Sequence, residues 1–132
     1  MNQHAERLDW LWRRGSQDAV SSALDKIEDG RERSEVYGRA FTVAQRWRPP
    51  IARFIGDRYV DEFYREAEPF GEGVKPEASL LWDLVDLYER DRNMELACWV
   101  CEFAVAFQVG DDAMNFAARL ATYRAAGELQ SA

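Results

Sequence analysis

Residues 78–111 constrain the fold most, because their apolar side chains recur with the spacing of two consecutive α-helices. In the first half the apolar residues follow the i, i+3, i+4, i+7 pattern of one helical stripe, and they are Leu80, Leu81, Leu84, Val85, Leu87 and Tyr88. The second half repeats the stripe and is apolar on nearly every side, through Leu96, Ala97, Trp99, Val100, Cys101, Phe103, Ala104 and Phe107. A tight turn near Arg92 and Asn93 separates the halves, and Gly110 is a natural stop after them. The pattern predicts an antiparallel helical hairpin whose second helix is buried on two sides.

The rest of the chain shows the same helical periodicity and no alternating pattern of the kind that marks a β-strand. It predicts further helices over residues 3–14, 17–27, 33–47, 51–68 and 113–126. We therefore expect an all-α fold of about seven helices, which pack as an array of antiparallel hairpins.

Glycine and proline mark the predicted boundaries between these helices. Ser16 is a good N-cap for the second helix, and Asp29-Gly30 is expected to end it. Pro49-Pro50 is expected to end the third helix, because the residue before a proline is pushed away from helical geometry. Gly56 is expected to split or kink the fourth helix.

A chain of 132 residues is long enough for one domain with a sizeable core. We expect a first hairpin over 1–30, a second over 31–68, and a third with a capping helix over 77–126. The loop at 69–76, rich in glycine and proline, is the best candidate for a mobile or functional segment. The tail from Gly127 is expected to fray.

The predicted hairpin of residues 78–111 also resembles a tetratricopeptide repeat. With Tyr88 at the repeat's tyrosine, the repeat's other core positions fall on Leu81, Leu84, Val85, Ala97, Cys101 and Ala104. Val109 stands where the repeat has its terminal proline, and the repeat's glycine is also missing. The resemblance implies a right-handed helical array that holds a peptide or helix in a concave groove.

Trp82 follows Leu81 in the chain and lies one position off the main apolar stripe. A tetratricopeptide-like hairpin would present a residue at this position to the groove. Large aromatic side chains are typical binding anchors. We therefore expect a groove lined by Trp82, Asp86, Glu89 and Arg90, in a small cytoplasmic interaction module of the adaptor, chaperone or scaffold kind. The alternative is that Trp82 packs against a neighbouring helix.

The chain is acidic, with a net charge of −7, and this disfavours direct binding to nucleic acid or to an anionic membrane. It suits a basic protein partner, and the acids that could receive one are Asp61, Glu62, Glu66, Asp83 and Asp86. A second hypothesis is therefore an acidic inhibitor, of the immunity or anti-defence kind, that masks a basic nuclease or nucleic-acid-binding protein. The alternative is that these helix faces are simply turned to water.

Residues 31–58 are locally basic, with seven arginines against three acids. Arg39 and Arg46 are seven positions apart and share a predicted helix face, near Arg48 and Arg53 across the proline turn. Such a cluster could grip a phosphate or an acidic peptide. The alternative is that these arginines are solvated or pair with acids of the same chain.

Cys98 and Cys101 form a C-x-x-C motif, which elsewhere marks redox pairs and zinc sites. A redox pair needs a lowered thiol pKa, typically at the start of a helix that follows a strand, and this motif lies in the middle of a predicted helix. A zinc site needs four ligands, and the chain has no further cysteine and only one histidine, His4. We expect both cysteines to pack in the core and to mark a reducing cytoplasm.

With a single histidine, Ser-His and Cys-His catalysis have almost no support. Two pairs of glutamates each fall on one predicted helix face, as in all-helical nucleotide pyrophosphatases, namely Glu32 with Glu35 and Glu62 with Glu66. Asp83 and Asp86 match the second motif of those enzymes poorly. A carboxylate-metal nucleotide hydrolase therefore remains a remote alternative. We expect no enzymatic activity, no metal and no cofactor.

No membrane span or signal-peptide core is predicted. We also expect self-association, because an open helical array leaves an apolar end to cover.

Overall fold

The computed structural model describes residues 8–107, 109 and 112–131. These residues contain no strand and form seven α-helices: α1 (Asp9–Arg14), α2 (Gln17–Asp25), α3 (Gly30–Trp47), α4 (Pro49–Arg65), α5 (Ala78–Arg90), α6 (Met94–Ala106) and α7 (Ala113–Ser131). The prediction of an all-α fold with about seven helices is confirmed. None of the helices in this described part combines the length and apolar character that crossing a bilayer requires.

The chain divides into two compact units, Met1–Val74 and Lys75–Ala132. We call them unit 1, which contains α1–α4, and unit 2, which contains α5–α7. The division lies within the loop predicted at 69–76. The prediction of a single domain stays a prediction.

Two helices of unit 1 have side-chain N-caps. The Ser16 hydroxyl accepts a hydrogen bond of 3.1 Å from the backbone N–H of Ala19, as its predicted role requires. The Asp29 carboxylate accepts one of 2.9 Å from the N–H of Glu32. Asp29-Gly30 therefore begins α3 rather than ending α2, because an aspartate side chain satisfies a free N–H at a helix start. Helix α2 itself ends earlier, at Asp25.

Helices α3 and α4 are joined by one residue, Arg48, and the two prolines occupy the first turn of α4. Helix α4 continues without a break through Gly56, which is buried, so the predicted split is wrong. The helix ends at Arg65, three residues before the predicted end, and Glu66 is extended.

Four aromatic side chains form the centre of unit 1: Tyr37, Tyr59, Phe63 and Phe70. Their ring centroids lie 5.4 to 5.7 Å apart, mostly edge to face, which is the favoured arrangement of aromatic pairs. Phe70 comes from the loop predicted at 69–76, yet its side chain is fully buried. This part of the loop is therefore anchored in the core.

Unit 2 begins with the predicted hairpin of α5 and α6. The turn lies where the sequence placed it: Arg92 has a φ of 59°, and the Asn93 side chain accepts a hydrogen bond of 3.2 Å from the N–H of Leu96. Gly110, the predicted stop, lies outside the described residues. Helix α7 runs on to Ser131, five residues beyond its predicted end at Ala126.

The core of unit 2 is small and apolar. Helix α6 packs against both α5 and α7, in agreement with the prediction that it is buried on two sides. The residues matched to the tetratricopeptide core are all buried, namely Leu81, Leu84, Val85, Tyr88, Ala97, Cys101 and Ala104. Because any tightly packed helix pair of this length shares such burial, it leaves the resemblance itself as a prediction.

Candidate functional site

An open groove of about 640 Å³ lies between α1, α2 and the start of α3 in unit 1. Its apolar residues are Leu8, Leu11, Ala19, Ala23 and Ile27. Its polar residues are Ser22, Lys26, Glu28, Asp29 and Glu32. A cavity of this size, with an apolar floor and a few charged groups, has the form of a binding site.

The groove exists because α2 has two different apolar faces. Val20 and Leu24 are fully buried and fill the core of unit 1. Ala19 and Ala23 lie one position before them, four residues apart on the flank of the helix, and both remain partly exposed. Their short side chains leave the space that larger residues would fill.

The charges around the groove are mainly negative. Glu28, Asp29 and Glu32 are carboxylates, and Lys26 is the one basic residue among the described residues that line the groove. Asp29 already has a structural role as the cap of α3, and a carboxylate at this end also interacts favourably with the helix dipole. Glu28 precedes α3 and is exposed, and it does not cap that helix. The groove therefore combines an apolar floor with an acidic rim.

Sequence reasoning missed this groove and placed the predicted peptide-binding groove in unit 2. The available signal was the pair of alanines in α2, Ala19 and Ala23, of which the periodicity assigned Ala23 to the buried stripe. Periodicity distinguishes a buried face from an exposed one. It does not show that two alanines on that face border a space between helices.

In unit 2, the structure places Trp82 against α7. Its ring stacks on that of Phe116, with centroids 3.8 Å apart and an angle of 10° between the planes. The Arg119 guanidinium lies 5.2 Å from the centroid of the Trp82 ring. Trp82 therefore packs on a neighbouring helix, which was the alternative to an open groove position.

Asp86 and Glu89 face the same arginine of α7. An Arg119 nitrogen lies 3.2 Å from a Glu89 oxygen and 3.8 Å from an Asp86 oxygen. The Tyr123 hydroxyl donates a hydrogen bond of 2.8 Å to Glu89, and burial raises the pKa of this tyrosine to about 12. Two of the predicted partner-binding acids thus have internal partners, whereas Arg90 is exposed.

The predicted acids of unit 1 do not form one surface. Glu62 pairs with Arg33 at 2.8 Å, and Asp61 is exposed on α4. Glu66 lies beyond the end of α4, so it does not share a helix face with Glu62, contrary to the sequence argument. In the part of the chain that the structure describes, no group of three or more His, Cys, Asp or Glu residues could hold a metal ion.

The predicted arginine cluster is divided among separate contacts. Arg39 makes two hydrogen bonds to the Asp9 carboxylate, of 3.1 and 2.6 Å, and holds the pKa of Asp9 below its usual value. Arg48 donates one of 2.7 Å to the carbonyl of Gly15. The Arg46 guanidinium lies over the ring of the adjacent residue, Trp47. Arg53 is half-buried on α4.

Both cysteines lie within α6, and both are free thiols. Burial raises the pKa of the Cys101 thiol to about 11, and it also raises the pKa of Cys98. A redox pair needs the opposite shift, because the thiolate is the reactive form. Cys101 is buried in the core as predicted, whereas Cys98 is only partly buried. His4 lies outside the described residues.

Comparisons of the chain with protein-family models, with curated proteins and with solved structures find no match.

Proposed function

We propose that this protein is an interaction module that binds a basic amphipathic helix or peptide in the groove of unit 1. The observation that carries the proposal is the apolar floor beside three carboxylates, in a groove of about 640 Å³. A helix laid into an apolar groove is a recurring mode of peptide recognition. The proposal keeps the class of function predicted from the sequence, an adaptor, chaperone or scaffold, and moves the site to α1–α3.

Recognition would use both parts of the groove. An apolar side chain of the partner fits over Ala19 and Ala23 and covers the exposed parts of the floor. A lysine or arginine one turn away on the partner pairs with Glu28 or Glu32. The net charge of −7 attracts a basic partner over a longer range and raises its association rate.

The test is a selection from a displayed library of random peptides, followed by affinity measurements with the selected peptides by fluorescence anisotropy. We expect the selected sequences to be rich in lysine and arginine, with apolar residues three and four positions apart. Sequences rich in aspartate and glutamate would contradict the proposal.

Two groove variants and their controls locate the binding site. Ala23→Leu fills the groove and is expected to abolish binding, whereas Ala126→Leu makes the same change on the exposed surface of α7. Glu28→Gln with Glu32→Gln is expected to weaken binding about fivefold at low salt, in line with the modest worth of exposed ion pairs. Glu35→Gln, on the exposed surface of α3, is its control. Equal affinities of groove and control variants would refute the site.

The acidic inhibitor stays a second proposal, supported by the net charge of −7. Its residues Asp61 and Glu66 are exposed, whereas Glu62 and Asp86 lie beside arginines of the chain. Salt separates the two proposals, because an inhibitor held mainly by charge loses affinity steeply between about 50 and 300 mM salt and a groove binder loses much less.

We propose a binding role rather than an enzymatic one. Of the two carboxylate pairs that suggested a nucleotide hydrolase, Glu62 and Glu66 are not on one helix face. We also propose a cytoplasmic location, supported by two free cysteines without a disulfide framework.

A further inference from the structure

Unit 1 contains a second, polar cleft of about 270 Å³, where the end of α2 meets α3 and α4. Among the residues that the structure describes, three arginines and three carboxylates line it, namely Arg33, Arg58, Arg65, Asp25, Glu62 and Glu66. The charges are therefore balanced, in contrast to the acidic rim of the groove. The cleft lies outside the proposed function and does not depend on it.

Tyr37 lies at the base of this cleft. Its side chain is fully buried, yet its hydroxyl has no hydrogen-bonding partner of normal geometry among the described residues. Burial raises the pKa of Tyr37 to about 12, with a further contribution from Glu62 and an opposing one from the nearby Arg58 guanidinium, so the hydroxyl keeps its proton. Because Arg58 is itself a donor, the O–H group of Tyr37 is left without an acceptor among the described residues. A buried donor without an acceptor costs stability, and an acceptor supplied by a ligand would remove that cost.

The two inner arginines are held in place by other contacts. Arg33 binds Glu62 and the carbonyl of Pro69, and Arg58 binds Ser21 and Asp25. A guanidinium has five N–H groups, so each arginine keeps donors that these contacts do not use. Side chains positioned in this way can bind a ligand with little further loss of entropy.

Arg65 and Glu66 complete the cleft at the end of α4. Both are exposed, and neither side chain has an ion pair or hydrogen bond within the described part of the chain. The cleft is therefore lined by an exposed guanidinium and an exposed carboxylate as well as by the buried Tyr37 and the two fixed arginines.

We propose that this cleft binds a small zwitterion of the α-amino acid class. The ligand carboxylate accepts from the Tyr37 hydroxyl and from Arg58, and Arg65 adds a second positive charge. The ligand ammonium group donates to Glu62 and Glu66. Because the charges of the cleft balance, it favours a ligand whose own charges cancel over a simple anion or a simple amine.

The first experiment measures thermal unfolding of the whole chain with each common amino acid at about 10 mM, with acetate and ethylammonium as singly charged probes. A ligand that binds only the folded state raises the Tm. We expect at least one amino acid to raise it and neither single-charge probe to do so. No shift with any amino acid, or an equal shift with acetate, would overturn the proposal.

Variants then place the ligand in the cleft, with affinity measured by calorimetry. Tyr37→Phe removes only the hydroxyl, and we expect it to weaken binding about tenfold, the usual loss for a hydrogen bond to a charged group. The free protein should keep or gain stability, because the hydroxyl has no partner of normal geometry. Arg65→Gln, at an exposed position, should also weaken binding without affecting the fold.

Tyr64→Phe is the matched control, because Tyr64 is 54% exposed on α4. It should leave the affinity for the amino acid unchanged, as should the groove variant Ala23→Leu. If Tyr37→Phe binds the amino acid as tightly as the original chain, the ligand lies elsewhere and the proposal is wrong.

Discussion

Arg33 pairs with Glu62 through a contact of 2.8 Å between Nε and Oε2, and the same guanidinium binds the loops on either side of α3 and α4. It donates to the carbonyl of Pro69 at 2.7 Å and to that of Ile27 at 3.3 Å. It also lies 5.3 Å from the centroid of the Phe70 ring. One side chain of α3 therefore joins α4 to both neighbouring loops.

Replacement of this arginine should destabilise unit 1. Arg33→Met leaves the half-buried Glu62 carboxylate and two carbonyls without their donor, and we expect the free energy of unfolding to fall by about 2–4 kcal/mol. Urea denaturation followed by circular dichroism measures the change.

Arg31→Met is the control for this variant, since Arg31 is exposed on the same helix. Its effect should stay within about 0.5 kcal/mol, as for most surface substitutions. Similar losses in the two variants would show that the contacts of Arg33 are not the cause.

The stack of Trp82 on Phe116 leads to a prediction for unit 2. Trp82→Ala removes this contact and the one with Arg119, and we expect a loss of about 2–4 kcal/mol. Thermal unfolding measures it. Met114→Ala is the control, because Met114 is 83% exposed on α7 and its loss should cost little. Unchanged stability in Trp82→Ala would restore Trp82 as a candidate for partner binding alone.

Close packing at Gly30 gives a third prediction. A Cβ atom at this position would lie 2.8 Å from the carbonyl carbon of Phe70 and 2.9 Å from its oxygen. We expect Gly30→Ala to lower the free energy of unfolding by about 1–3 kcal/mol, although alanine is normally the better helix residue.

Gly127→Ala makes the same change in α7, where a Cβ would meet nothing within 4 Å. It should raise stability by about 0.5 kcal/mol, measured by the same thermal unfolding. An equal gain at Gly30 would contradict the close approach of Phe70.

The raised pKa values predict a loss of stability in alkaline solution. Folding raises the pKa of Cys101 from 9.0 to about 11, and that of Tyr37 and Tyr123 from 10.0 to about 12. The folded chain therefore holds more protons than the unfolded chain between these values, so stability is fully present below about pH 9 and falls as the pH rises.

Urea denaturation at pH 8, 9, 10 and 11 tests this direction. Tyr37→Phe should reduce the fall above pH 10, because it removes one of the groups that must lose a proton, whereas Tyr64→Phe should not. A stability that rises over this range would contradict the direction of all three pKa shifts.

The features that the sequence predicted correctly depend on neighbours in the chain. The stripe of α5 repeats every three or four residues, and the cap at Ser16 acts on an N–H group three positions away. The errors arose where local signals compete. Asp29-Gly30 suits either a helix end or a helix start. Helix α4 ends at Arg65, earlier than predicted, and the loop that follows it carries Phe70 into the core.

By itself, the sequence determined that this protein is all-α, where most helices begin and which faces are apolar. Only the tertiary structure decided what those faces meet: Phe116 for Trp82, and Glu62 for Arg33. It also decided that Ala19 and Ala23 border a groove and that Tyr37 lies beneath a cleft of balanced charge. The physical reason is that helical periodicity is a property of short segments, whereas grooves and ion pairs depend on which segments pack together.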